Sequence, residues 1–317
     1  MNRSVVLLPN WIGDLLLALS VVTRLPEERR SATTLLVPKQ MGGLVELLCD
    51  LPQLPFDRAD ETERRRTMVS VKAAGFRSIY LLPYSFSSAW FAVKAGIPSR
   101  RGLAREMRRF LLTDPMPGSL RDKSRHITME YSAILDTPSI PPEAWGGVSV
   151  EPDPAHAGSI VYCPGAAYGP AKRWPHFPEL ARLQQRYDIV VLGTAADGES
   201  SRKVEQAAPG RVTDLTGRTS LKEAAAIMAG ARAVVSNDSG LMHLAGYLGV
   251  PVVGIFGSTS PTWTRPLGKR SVAMGSSEPC SPCFKRSCRY GHYRCLRNIS
   301  AVDVADAVER LCVQPFR

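Results

Sequence analysis

Short apolar runs alternate with amphipathic segments along the chain, and this alternation limits the possible folds more than any other feature of the sequence. In the first half, SVVLL (4–8), TTLLVP (33–38) and SIYLLP (78–83) predict buried strands, with helical patterns between them, one from Asp14 to Leu25. The pattern restarts at SIVYCPG (159–165) and continues through DIVVLG (188–193), ARAVVSNDSG (231–240) and VPVVGIFG (250–257). We therefore predict an α/β fold with two doubly wound parallel sheets.

The segment 138–158 is rich in proline and glycine and predicts a linker between the two halves. The chain has 317 residues, enough for two domains of about 150 residues each. We predict a Rossmann-like domain over residues 1–150, a second over 151–300, and a closing amphipathic helix over 301–317.

The net charge of +11 indicates an anionic partner, such as a nucleotide, a nucleic acid, a phosphorylated substrate or a membrane surface. Residues 64–125 hold 14 Lys and Arg against 3 Asp and Glu. Within them LAREMRRFLL (103–112) predicts an amphipathic helix, with Arg105, Arg108 and Arg109 away from its apolar side. Because no recognised nucleic-acid motif accompanies this charge, we expect no nucleic-acid partner.

Several common classes of protein are disfavoured by the sequence. Pro9, Asn10 and Gly13 interrupt the N-terminal apolar run, which argues against a signal peptide, and no run of about 18 apolar residues predicts a membrane span. We therefore expect a cytoplasmic protein. The G-x-G-x-x-G and G-x-S-x-G patterns are missing, which argues against a dinucleotide dehydrogenase and an α/β serine hydrolase.

The first candidate site is the loop PNWIGD (9–14), which follows the first predicted strand. Ligands of open α/β sheets bind beyond the carboxyl ends of the strands. Gly13 permits close backbone approach to a ligand, and Asp14 stands at the start of the next helix. Asp14 is either an N-cap that accepts a backbone N–H or a general base that takes a proton from a hydroxyl.

The second candidate site is the loop CPGAAYGPAKRWP (163–175). Gly165 and Gly169 allow tight backbone approach, and Lys172 and Arg173 add positive charge, although the loop lacks the Walker pattern. The loop is either a surface turn with two solvated cations or a phosphate site. We favour the phosphate site, because glycines and cations share one short loop at a strand end.

The third candidate site is SNDSGLMHLA (236–245). Asp238, Ser239 and Gly240 open a predicted helix, whose free N–H groups and dipole favour an anion. His243 lies one turn further, and Thr259 follows the next strand and adds a hydroxyl. A lone helical histidine is more often structural, but this polar helix start favours ligand contact.

Four cysteines, Cys280, Cys283, Cys288 and Cys295, follow the spacing C-x2-C-x4-C-x6-C. Four sulfur ligands within 16 residues suit structural zinc, but only the first spacing matches a zinc knuckle well. We favour reduced or partly disulfide-bonded cysteines and expect no bound metal.

The chain resembles glycosyltransferase family 9, the bacterial lipopolysaccharide heptosyltransferases, and especially its type II members. The resemblance covers nearly the whole chain. It is carried by NWIGDLLLALSVV, CPGAAYGPAKRWP, TGRTSLKEAAAIM, SNDSGLMHLAGYLGVPVVGIFGSTSP and CSPCFKRSCRYGHYRCL. It implies the GT-B architecture, in which two Rossmann-like domains, an N-terminal acceptor domain and a C-terminal donor domain, face each other across a cleft.

The resemblance also implies an activity: inverting transfer of L-glycero-D-manno-heptose from ADP-heptose to the first heptose of the lipopolysaccharide inner core on lipid A, without a metal or other cofactor. The basic amphipathic surface of the N-terminal half would also hold such an enzyme against the anionic inner membrane, at its cytoplasmic face. Alternatives are another core position as acceptor, a non-catalytic ADP-sugar binder, or a basic nucleic-acid-binding protein.

The resemblance assigns roles to individual residues of the candidate sites. Asp14 matches the family's base, and Lys172 matches its phosphate-contacting lysine. We expect Arg105, Arg108 and Arg109 to bind the anionic acceptor. The expected donor-binding residues are Gly13, Gly165, Lys172, Thr219, Asp238, Ser239, Gly240 and His243.

Overall fold

The chain divides into two compact units, residues 1–140 and residues 141–317. The computed structural model describes residues 3–57, 59–118 and 122–313. The boundary falls before the predicted one at residue 150, because much of the proline-rich segment packs on the second unit. The Trp145 ring lies 5.0 Å from the Tyr247 ring, and its indole N–H donates to the Tyr247 carbonyl at 2.7 Å.

The N-terminal unit is built on one six-stranded parallel sheet with the order β3-β2-β1-β4-β5-β6. Its strands are β1 (Ser4–Leu7), β2 (Thr33–Pro38), β3 (Gln53–Phe56), β4 (Ser78–Leu81), β5 (Ser99–Leu103) and β6 (Asp114–Met116). Its helices are α1 (Ile12–Val22), α2 (Glu27–Arg30), α3 (Gly42–Leu48), α4 (Glu61–Ala73), α5 (Phe86–Lys94) and α6 (Ile127–Leu135).

The C-terminal unit repeats this plan, with the strand order β12-β11-β10-β7-β8-β9. Its strands are β7 (Ile160–Cys163), β8 (Ile189–Val191), β9 (Val212–Asp214), β10 (Ala233–Asn237), β11 (Val252–Phe256) and β12 (Ser271–Gly275). Its helices are α7 (Phe177–Leu183), α8 (Gly198–Ala207), α9 (Leu221–Gly230), α10 (Gly240–Leu248), α11 (Pro261–Thr264), α12 (Arg294–Arg297) and α13 (Ala301–Val313).

Each sheet has the Rossmann strand order, in which the chain winds outward from a central strand in both directions. The central strands are apolar and buried because helices cover both faces of a parallel sheet. These observations confirm the predicted fold class of two doubly wound α/β halves.

The predicted helix over residues 103–112 is wrong. Leu103 ends β5, a turn follows in which Glu106 and Met107 both adopt positive φ angles, and only a 3₁₀ turn forms at Arg109–Leu111. Two consecutive left-handed residues stop a right-handed helix. The closing helix is described from Ala301 to Val313, and residues 314–317 of its predicted range lie outside the described residues.

None of the helices in the described parts of the chain has the length and apolar character that crossing a membrane requires.

Candidate active site

Asp14 lies in the first turn of α1, directly beyond the carboxyl end of β1. Trp11 occupies the N-cap position of α1, so the interpretation of Asp14 as the N-cap residue is wrong. Asp14 and Gly13 are half-buried, whereas the helix from Leu15 to Val22 is fully buried. The carboxylate therefore stands at the polar start of a helix that is otherwise part of the core.

A network of three polar side chains lies at the same edge of the sheet. β1, β4 and β5 are neighbouring parallel strands, so the segments that follow them emerge together. The Tyr84 hydroxyl donates to Glu130 Oε2 at 2.7 Å, and the Arg105 guanidinium donates to both oxygens of Glu130, at 3.1 and 2.5 Å. Arg105 also lies over the Tyr84 ring, 4.5 Å from its centroid. Glu130 is on α6, which packs against α1.

The charge of Asp14 acts on two phenols, that of Tyr84 in this network and that of Tyr131. Burial raises the pKa of Tyr84 above its usual range, and the charge of Glu130, its hydrogen bond and the charge of Asp14 raise it further. Burial also raises the pKa of Tyr131, with contributions from Tyr84 and Asp14. Both phenols are therefore protonated at neutral pH and remain hydrogen-bond donors.

The three arginines expected to bind the acceptor occupy different environments. Arg108 is fully buried, and its guanidinium donates to the carbonyls of Leu103 and Pro83 at 2.9 and 2.5 Å. Burial lowers the pKa of Arg108 to about 10. Its position inside the unit contradicts the expected surface contact with acceptor. Arg105 is only 4% exposed and pairs with Glu130, whereas Arg109 is exposed.

In the C-terminal unit, the glycine loop is held to the end of β10 by a buried amide. The Asn237 side chain accepts from the Trp174 backbone N–H at 3.0 Å and donates to the Pro164 carbonyl at 2.6 Å. Gly165 serves this packing as well, because a Cβ there would lie 2.3 Å from Asp197 Oδ2. Both contacts fix the path of the loop that carries Lys172.

Lys172 and Asp238 form a buried ion pair, with Nζ 2.6 Å from Oδ2. The Thr259 hydroxyl donates to the same oxygen at 2.5 Å, and His243 Nε2 lies 3.8 Å from Oδ1. The side chains of Lys172 and Asp238 are 13% and 3% exposed. The structure thus brings together the second and third candidate sites, as well as Thr259.

The start of α10 lies beside this ion pair. The helix begins at Gly240 after Ser239, whose hydroxyl lies 3.2 Å from that of Ser236. The first N–H groups of a helix have no partner within it, and they favour an anion. Lys172 together with this helix start can hold a phosphate group.

Thr219 does not share the hydrogen bonds of this cluster within the described residues. It occupies the turn before α9, where the Ser220 side chain caps the helix. None of the hydrogen bonds recorded in the described parts of the chain connects Thr219 with Lys172 or Asp238.

Four residues of these sites were not predicted as site residues from the sequence: Tyr84, Glu130, Asn237 and Tyr168. Tyr84 and Asn237 stand at strand ends, a position that is itself a signal for a site in this fold. Glu130 and Tyr168 carry no comparable signal, because their roles depend on contacts with distant parts of the chain: Glu130 pairs with Arg105, and Tyr168 donates to the Phe284 carbonyl.

The four clustered cysteines line one cavity of about 280 Å³ together with Tyr290 and Tyr293. All of them are free thiols. Backbone N–H groups, first that of Tyr293, lower the pKa of Cys288, whereas burial raises the pKa of Cys295. Across residues 3–57, 59–118 and 122–313, no group of three or more His, Cys, Asp or Glu side chains is arranged to hold a metal ion.

Comparisons with known proteins agree with this architecture. Residues 64–294 match the family model of glycosyltransferase family 9 (heptosyltransferase). The lipopolysaccharide heptosyltransferase 2 of Escherichia coli K12 is 30% identical, over 96% of this chain and 97% of that protein. The lipooligosaccharide heptosyltransferase 2 of Haemophilus influenzae is 28% identical, over 84% and 86%.

The solved structure of E. coli ADP-heptose lipopolysaccharide heptosyltransferase II superimposes with a TM-score of 0.80 and 27% identity. It covers 98% of this chain and 99% of that one, which supports the GT-B fold class. The family model spans more than half of the chain, and a relative at 30% identity covers nearly all of it. The chain therefore belongs to glycosyltransferase family 9 (heptosyltransferase) and is a glycosyltransferase.

Proposed function

We propose that this enzyme transfers L-glycero-D-manno-heptose from ADP-heptose to the first heptose of the lipopolysaccharide inner core on lipid A. The observation that carries the proposal is the Lys172–Asp238 cluster at the start of α10, in a chain similar over its full length to heptosyltransferases 2. The C-terminal unit then binds the donor, and the N-terminal unit binds the acceptor.

Asp14 is the general base of the proposed reaction. Inverting transfer in one step needs a base that removes the proton from the acceptor hydroxyl as this hydroxyl attacks the anomeric carbon. Asp14 is suited to this task because it is half-buried in the first turn of α1, directly beyond the end of a strand. Bond formation to the acceptor oxygen and departure of ADP then invert the anomeric centre.

The departing ADP takes up the negative charge that develops when the sugar–phosphate bond breaks. We assign the stabilisation of this negative charge to the Lys172 ammonium and the first N–H groups of α10. These groups provide positive charge at fixed positions for the diphosphate. Ser239, Gly240 and His243 complete the donor site in this proposal, and no metal is assigned a role. Turnover that is unchanged by EDTA would agree with this assignment.

The acceptor is anionic and embedded in lipid, and a surface of the N-terminal unit suits contact with such a membrane. Trp90 and Phe110 are 44% and 74% exposed, and both rings lie against Phe86, at 6.5 and 6.1 Å. Lys94 lies over the Trp90 ring at 5.1 Å, and Arg109 is exposed beside Phe110. Exposed aromatic rings flanked by cations are typical of surfaces that bind anionic bilayers.

The peripheral contact at the cytoplasmic face of the inner membrane is therefore part of the proposal. Its test is co-sedimentation with vesicles of phosphatidylglycerol or phosphatidylcholine. We expect binding to the anionic vesicles only, lost when Trp90 and Phe110 are both changed to Ser. Val302→Ser, at a side chain that is 53% exposed on α13, is the control. Equal binding by all three proteins would refute the assigned surface.

The activity is tested by ADP release from ADP-heptose with acceptors that carry no heptose or one heptose. Release only with the mono-heptosylated acceptor is expected; release only with the heptose-free acceptor would mean that the enzyme acts on another core position. Asp14→Asn should lower kcat by at least about a hundredfold with little change in ADP affinity, whereas the exposed Glu28→Gln should leave both unchanged. A wild-type protein that binds ADP-heptose and releases none would be a binding module.

A further inference from the structure

A segment of the cysteine-rich region is fixed onto the loop that carries Lys172. The Tyr168 hydroxyl donates to the Phe284 carbonyl at 2.7 Å, and the Ala171 N–H donates to the Arg286 carbonyl at 3.0 Å. The Phe284 N–H in turn donates to the Ser258 carbonyl at 2.7 Å. Two of these hydrogen bonds therefore join residues 284–286 to the candidate phosphate loop, and the third joins them to the segment that follows β11.

Gly169 shows how closely these two segments approach each other. Its φ angle is +141°, and a Cβ there would lie 2.6 Å from the Arg286 carbonyl oxygen. Any other residue would push the two backbones apart. The loop is thus shaped to receive the Arg286 backbone and not only to approach a ligand.

This docking places two cations against one aromatic ring. Lys172 Nζ lies 4.8 Å and Arg286 Cζ lies 5.5 Å from the centroid of Tyr168. The two cations differ in whether a carboxylate neutralises them. Lys172 is paired with the buried Asp238. Arg286 is exposed, and within the described residues no carboxylate forms an ion pair with it.

We propose that Arg286 binds the diphosphate of the nucleotide donor together with Lys172. The inference rests on the proposed function and adds a residue to its donor site. The Lys172–Asp238 pair has little net charge, whereas a diphosphate carries at least two negative charges. A second cation is needed for balance, and a guanidinium donates two parallel hydrogen bonds to phosphate oxygens.

The test compares the affinities of ADP, AMP and adenosine for the wild-type protein, Arg286→Gln and Arg289→Gln by calorimetry. Arg289 is a matched control in the same segment, since it is also exposed and lies over an aromatic ring, Tyr290, at 4.5 Å. We expect Arg286→Gln to weaken ADP binding about tenfold or more, AMP binding less, and adenosine binding not at all. Arg289→Gln should leave all three affinities unchanged.

Two results would overturn the inference alone: unchanged ADP affinity in Arg286→Gln, or equal losses for ADP and adenosine, which would indicate a displaced loop. The melting temperature of each variant shows whether it is folded. A wild-type protein with no measurable ADP binding would overturn the proposed function together with the inference, so the two failures are distinguishable.

Discussion

Replacing Lys172 by Met should destabilise the C-terminal unit through the carboxylate left behind. Removing one partner of a buried ion pair costs about 3–5 kcal/mol. Asp238 is 3% exposed, but it keeps the Thr259 hydroxyl at 2.5 Å and His243 at 3.8 Å. We therefore expect a loss near the lower end, about 3 kcal/mol in the free energy of unfolding.

Asp238→Asn should cost less, about 2 kcal/mol, because Lys172 is 13% exposed and still lies over the Tyr168 ring. The double variant removes both charges, so its loss should fall short of the sum of the single losses by about 3 kcal/mol. The assay is equilibrium unfolding in urea, followed by tryptophan fluorescence and circular dichroism. Additive losses would refute the argument that this pair is buried and coupled.

ADP binding separates the structural role of the pair from its proposed chemical role. The double variant should recover part of the stability that Lys172→Met loses, but none of the ADP affinity, because the cation is still missing. Recovery of ADP affinity together with stability would show that Lys172 acts on the nucleotide only through the fold.

Three further predictions concern other parts of the chain. Glu130→Gln removes the carboxylate that pairs with the Arg105 cation beside Tyr84 and Asp14, so the acid limb of the pH–rate profile should move to lower pH; an unmoved limb would contradict the assigned network. Because the pKa of Cys288 is lowered, its thiolate forms at lower pH, and iodoacetamide at pH 7 should label it before Cys295 in peptide mass spectra; the reverse order would refute this. Gly257→Ala places a Cβ 2.6 Å from Leu296 Cγ and should cost about 1–3 kcal/mol in urea unfolding, whereas Gly146→Ala, with open space around it, should cost little; equal effects would contradict the packing.

The interior strands of both sheets were predictable from the sequence, because strands covered on both faces are continuous apolar runs, as in β2 and β10. The strands β3, β5, β6, β9 and β12 were missed. They are short or partly exposed, so their side chains do not form such runs: β5 is SRRGL and β6 is DPM. Their place in the sheet is set by pairing with neighbours rather than by their own composition.

The cluster that we propose to bind the donor was predictable for a related reason. Lys172, Asp238 and Thr259 each follow a central strand of one parallel sheet, and the topology brings such positions to a common edge. The sequence could not show that Lys172 pairs with Asp238, because an ion pair depends on side-chain directions and on the path of a loop. Nor could it show the contact of Arg286 with Tyr168, which spans more than a hundred residues.

The basic stretch shows why a count of charges does not identify a binding surface. The surplus of cations over residues 64–125 suggested a basic surface that binds the anionic acceptor, yet several guanidinium groups are used inside the unit. Arg100 donates to the carbonyls of Ile97 and Leu111, Arg108 donates to those of Leu103 and Pro83, and Arg105 pairs with Glu130. Irregular segments after edge strands leave backbone carbonyls without partners in the sheet, and a guanidinium with five donors can satisfy several of them at once. Arg105 and Arg108 are buried in this way, and of the three arginines expected to bind the acceptor Arg109 is the exposed one. The membrane and acceptor contacts proposed for this unit therefore fall to Arg109 and to the aromatic side chains around it.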